Sequence, residues 1–166
     1  MAHLGPAKRF RLTLKNRTLG ELQKLFPKLR IGDNFQHTSE ATPGYNCVGF
    51  ANGDSSKWWQ FGIRGGGYYW PVDLGDTLEA WVELFAREGY SPAENGEIEP
   101  GVEKIAIYAN LKDFSPSHVA KSDGTTWKSK LGRLQDISHV SLDLLEGPGD
   151  NDYGFVQRIL QRPLKR

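Results

Sequence analysis

Cysteine is nearly missing from this 166-residue chain, where Cys47 stands alone. One thiol excludes an internal disulfide framework and any metal cluster built from cysteine alone, and it fits a reducing compartment or a chemical role. Charge of one sign is missing as well. Twenty-one basic and 20 acidic side chains leave a formal net charge of +1, too little to draw in a nucleic-acid backbone or an anionic bilayer. Neither nucleic acid nor membrane is therefore expected as a partner. No apolar run approaches the ~18 residues a membrane helix needs. The first 15 residues intersperse Lys8, Arg9, Arg11 and Lys15 with isolated apolar residues and lack the apolar stretch of a secretory signal. The expectation is a cytoplasmic protein, unless another system exports it. Metal-site spacings such as HxxxH and CxxC do not occur, so no metal and no other cofactor is expected.

What is present suits one globular domain over residues 1–166, with residues 1–17 as a candidate disordered arm: 38% of the chain is apolar and 25% charged. Thr18-Leu19-Gly20-Glu21 is a capping box, and Leu19, Leu22, Leu25 and Phe26 follow at helical spacing until Pro27 stops them. Residues 31–45 read as a loop. Asn46 is a candidate N-cap and Gly53 a stop for a short helix beginning at Cys47. Residues 58–70 gather six aromatic rings around Gly65-Gly66-Gly67, which reads as a hinge. The segment is either a satellite core beneath a long loop or a flap lining a substrate site through Trp58, Trp59, Tyr69 and Trp70. Asp76-Thr77-Leu78-Glu79 opens the clearest helix, ended near Gly89. Strands are expected at 103–109, 117–121 and 125–131, the last two joined by a turn at Asp123-Gly124, with a final strand at 153–160. A short helix is expected around 140–146, Asp150-Asn151-Asp152 reads as a solvated turn and residues 158–166 as an exposed tail. Helices first and strands afterwards predict an α+β fold, N-terminal helices packed on a small antiparallel sheet.

A nucleophilic cysteine needs a lowered pKa, a base that shuttles the proton, and amides that receive an oxyanion. Cys47 at a helix start has the helix dipole and its own amide available, and His118 near the start of a strand offers an imidazole. Burial as a small hydrophobe is the commoner fate of a free cysteine, and a strand histidine is often satisfied by a neighbouring carbonyl. The order cysteine at a helix head, histidine on an early strand, polar residue on a neighbouring strand resembles the papain-like cysteine hydrolases, particularly the NlpC-type peptidases and amidases. More closely, Tyr45-Asn46-Cys47, Asn52-Gly53-Asp54 with Trp58-Trp59, Glu103-Lys104-Ile105-Ala106 and Trp127-Lys128-Ser129-Lys130-Leu131-Gly132 resemble an uncharacterised bacterial domain family over residues 45–162. The papain-like resemblance implies a papain-like (NlpC-like) fold, Cys47 as nucleophile and His118 as general base and acid. A third residue is left among His139, Asp136 and then Ser129, with Gln36 or Asn46 as a second oxyanion donor. The expected activity is hydrolysis or acyl transfer at an amide bond of a peptide, amide or protein substrate. The alternative is a non-catalytic binding module whose aromatic pocket holds a peptide, glycan or partner protein. A toxin, effector or defence role suits either.

Overall fold

The computed structural model describes residues 17–148 and 153–165. Most of the expected N-terminal arm, the turn at Asp150-Asn151-Asp152 and the final residue, Arg166, lie outside them. Strand accounts for 32% of the chain and helix for 17%, so the architecture is mostly β. The expected papain-like arrangement of N-terminal helices on a small sheet does not form. A seven-stranded sheet dominates instead, with helices on both of its faces.

Its strands are β1 (Phe35–Ser39), β4 (Ser91–Pro92), β5 (Val102–Ala109), β6 (Pro116–Ser122), β7 (Trp127–Lys130), β8 (Asp136–His139) and β9 (Phe155–Pro163), in the spatial order β1-β8-β7-β6-β5-β9-β4. Every pairing is antiparallel. Two segments account for the departure from expectation. β1, read as loop, has the sequence Phe-Gln-His-Thr-Ser with only Phe35 buried, so it lacks the apolar alternation that marks a strand. β9 runs through residues read as a tail and pairs with β5 as far as Pro163, and the Arg162 Nε donates to Glu103 Oε2 at 2.5 Å.

Three short α-helices are described: α1 (Leu19–Leu25), α2 (Cys47–Ala51) and α3 (Leu78–Ala86), with a 3-10 turn at Leu142–Leu145. The capping box of α1 forms as its sequence predicts, Glu21 N donating to Thr18 Oγ1 at 3.1 Å and Thr18 N to Glu21 Oε1 at 3.2 Å. Thr77 caps α3 through the Ala80 amide. No described helix is long and apolar enough to cross a membrane. Residues 58–70 hold two short strands, β2 (Trp58–Trp59) and β3 (Tyr68–Tyr69), which pair in parallel. The loop between them turns on Gly62, Gly65, Gly66 and Gly67, all at positive φ, a region open to glycine at little cost.

Alternation along β5 builds two cores. Ile105 and Ile107 join Val119 against Val48 and Ala51 of α2 and Trp81 and Phe85 of α3. Ala106 and Tyr108 face the other way, with Leu22 and Phe26, Trp127 and Ile137. Each fully buried large side chain contributes about 1.5–3 kcal/mol, so both faces are anchored. One irregularity prepares the site. β6 pairs with β5 along its whole length but with β7 only at Lys121↔Lys128 and Ser122↔Trp127. The N-terminal half of β6 is therefore not laddered to β7.

Candidate functional site

The helix that carries Cys47 starts where Asn46 makes it start. Asn46 is extended (φ −113°, ψ −172°), and its Oδ1 accepts from Gly49 N at 3.0 Å and from Trp59 N at 3.1 Å while Nδ2 donates to Trp59 O at 2.8 Å. The side chain caps α2 and ties it to β2 at once. These bonds use one of the two Nδ2 hydrogens, and Asn46 lines the same cavity as Cys47. Gly49 lets α2 press against residues 54–59: a Cβ there would lie 2.7 Å from Lys57 O and 2.9 Å from Asp54 O. Both are backbone atoms with little room to retreat. Gly49→Ala is accordingly expected to cost about 1–3 kcal/mol, read as a lowered denaturant midpoint, and an unchanged midpoint would show that α2 is free to shift.

Cys47 and His118 line one cavity of about 270 Å³, together with Trp58, Trp59, Trp70 and Tyr153. By strand alternation, His118 projects on the Ala120 side of β6, while α2 lies on the Val119 side. They share a cavity at the stretch of β6 that is not laddered to β7. Cys47 is 8% exposed. Burial pushes its thiol up, to about 11, against the backbone amides of Val119, Val48 and Cys47 itself, which favour the thiolate, and against the charge of Lys130. Desolvation wins, and the resting sulfur is protonated at neutral pH.

His118 is fully buried and its ring lies flat against Tyr153, centroids 3.9 Å apart at 7°. Its Nε2 is 3.0 Å from Ser129 Oγ, which is 2.8 Å from His139 Nε2, and His139 Nδ1 is 2.9 Å from the Ser141 carbonyl oxygen. His118 Nδ1 has no partner although it is buried. Burial, and then the neighbouring His139, hold His118 well below the ordinary imidazole value, and burial lowers His139 to about 4. Both rings are neutral near pH 7.

Ser129 thus holds the place beside His118, and His139 stands behind it. Asp136 is elsewhere. It sits at the opposite end of β8 from His139 and accepts from Tyr45 Oη at 3.0 Å. Gln36 is exposed on β1, with β8 and β7 between it and β6, and is not among the residues lining the cavity. Tyr69 packs edge-on to Trp59 at 4.6 Å and lies outside the cavity lining. Sequence reasoning missed Tyr153, Trp81 and Asp76, which also line the cavity. It missed Lys130 too, whose amine donates to the carbonyls of Thr42, Gly132 and Leu134 at 2.9, 2.5 and 2.6 Å and so ties the approach to α2 to the turn after β7. Trp81 was visible only as part of a helical stripe, and nothing around Tyr153 marks it as more than the start of a strand. Among the described residues, no group of three His, Cys, Asp or Glu side chains comes together as a metal site.

Residues 36–161 match a family described as a domain of unknown function, DUF7689. The match spans well over half of the chain, and the protein belongs to that family. Nothing in the match links the family to papain-like cysteine hydrolases. No curated protein and no solved structure matches the chain.

Proposed function

We propose that the protein is a cysteine-dependent hydrolase or acyl transferase acting at an amide bond of a peptide, amide or protein substrate. One observation carries the reading: Cys47 and His118, brought from opposite faces of the sheet, line one cavity, and His118 is held at Nε2 with a buried, unpartnered Nδ1. A buried polar atom left without a partner costs free energy and calls for an explanation. A proton taken from the thiol supplies one.

In this mechanism Nδ1 of His118 takes the Cys47 proton as the sulfur attacks the substrate carbonyl carbon. The tetrahedral oxyanion forms at the first turn of α2, beside the amides of Cys47 and Val48. The C–N bond then breaks, and the imidazolium returns the proton to the departing amine. Water attacks the thioester with His118 again as base, releasing acid and thiol, whereas an amine in place of water completes acyl transfer. This is the chemistry of papain-like enzymes carried out on a different architecture. The rings of Trp58, Trp59 and Trp70 supply apolar contact for the substrate. The burial of Cys47 supports a second reading, a non-catalytic module binding a peptide, glycan or partner protein in the same aromatic cavity.

Acylation separates the two. A small activated ester is expected to add one acyl group to Cys47 of the native protein, removable by hydroxylamine and absent in Cys47→Ala, which sets it apart from the hydroxylamine-stable amides formed at lysines. Acylation no faster in the native protein than in the urea-unfolded chain would leave the binding module standing.

A further inference from the structure

We infer that Ser129 and His139 are positioning residues that hold His118 in one tautomer, protonated at Nε2 and bare at Nδ1, with the direction of the whole chain set by the Ser141 carbonyl. The inference rests on the proposed role of His118 as base and goes further, naming what prepares that base.

The direction follows from what each atom can do. A carbonyl oxygen only accepts, so the 2.9 Å contact at Ser141 O requires a hydrogen on His139 Nδ1. A neutral His139 then has a bare Nε2, which must accept. The hydrogen it accepts is that of Ser129 Oγ, 2.8 Å away. With its only hydrogen spent, Ser129 Oγ meets His118 Nε2 at 3.0 Å as an acceptor, and that nitrogen must carry the hydrogen. Were His118 protonated at Nδ1 instead, one hydroxyl hydrogen would face two bare nitrogens and one lone pair would go unmet. His118, Ser129 and His139 are each at most 1% exposed, so no water relieves such a mismatch. The tautomer that remains leaves the base lone pair on Nδ1, the one ring nitrogen of His118 without a partner. Tyr153, lying flat on the ring, and Tyr108, with its centroid at 5.2 Å, hold its plane.

Long-range ¹⁵N–¹H correlation spectra of the histidine rings of the native protein read the tautomers with no reaction taking place. The expected pattern is pyrrole-type Nε2 with pyridine-type Nδ1 for His118, and the reverse for His139. Hydrogen on Nδ1 of His118, or a cationic His118 at pH 7, would overturn the inference. Variants supply the second readout. His139→Gln places an amide oxygen where Nε2 was and should keep both the tautomer and the acylation rate of Cys47 near those of the native protein. His139→Leu and Ser129→Ala should mix the His118 tautomers and slow acylation about 10- to 100-fold at pH 7. If these last two keep a single tautomer and the native rate, Ser129 and His139 only fill space. The expected tautomers without any acylation would strike the hydrolase reading alone.

Discussion

Replacing His118 with alanine is expected to slow acylation of Cys47 by about 10²- to 10⁴-fold at pH 7, the range a positioned general base supplies. Burial holds the thiol at about 11, so roughly one sulfur in 10⁴ is ionised at pH 7 without assistance. A neighbouring imidazole matters most under those conditions, because it removes the proton as the bond forms. The pH dependence carries the sign. The native and variant rates should converge as the pH rises toward about 11, where hydroxide ionises the thiol and the base becomes dispensable. The deletion also removes a ring stacked on Tyr153, so His118→Gln belongs beside it: similar in volume, it fills the site but is no base. Loss of rate in both variants, with denaturant midpoints showing a folded protein, traces the effect to proton transfer. Equal rates in native and variant proteins across the pH range would remove His118 from the mechanism.

Where one residue dictates its own surroundings, the fold was legible in the chain. Thr18 and Glu21 form their capping box, Asn46 starts the helix at Cys47, and Asp123-Gly124 turns between β6 and β7, with Gly124 at φ 96°. Where a segment takes its structure from a partner, the sequence said little. β1 and β8 are short and polar, and become strands because β7 offers β8 a ladder and β8 offers β1 another. Without those two at one edge and β9 and β4 at the other, a small sheet under N-terminal helices is the natural inference. The site divides in the same way. Cys47 and His118, which line one cavity, were visible as candidates from residue type and order. The contact of His118 with Ser129 rather than Asp136 was not, because it depends on which residue of β7 lies diagonally across from which residue of β8. Asn46 and Gln36 part company in the same way: Asn46 lines the cavity beside Cys47, whereas the strand order carries Gln36 to the edge of the sheet.

Stability is expected to fall steeply as pH drops below about 6.5, by roughly 1.4 kcal/mol per pH unit for each of His118 and His139. Both are bases whose folded pKa is depressed, His118 well below its ordinary value and His139 to about 4, chiefly because burial penalises the charged ring. In the unfolded chain they titrate near 6.5 and take up protons that the folded protein refuses. Their stabilising contribution is therefore complete above that pH and is lost on acidification, until His139 itself protonates near 4. By pH 4.5 His139 alone removes about 2.5 kcal/mol, a large share of the stability of many domains, and His118 adds to the loss in the same direction. Carboxylates held low by local hydrogen bonds, such as Asp73, Asp113 and Asp123, lose their contribution only nearer their ordinary value of about 3.9, which leaves the upper part of the window to the histidines. Urea midpoints from pH 7 to 4.5 measure the slope, and the double variant His118→Gln, His139→Gln should flatten it, whereas a native midpoint constant over that range would mean that the two rings are not buried neutral. The link to function is direct. A site built from neutral imidazoles is not silenced by protonation within the fold, so activity and tertiary structure should disappear at the same pH.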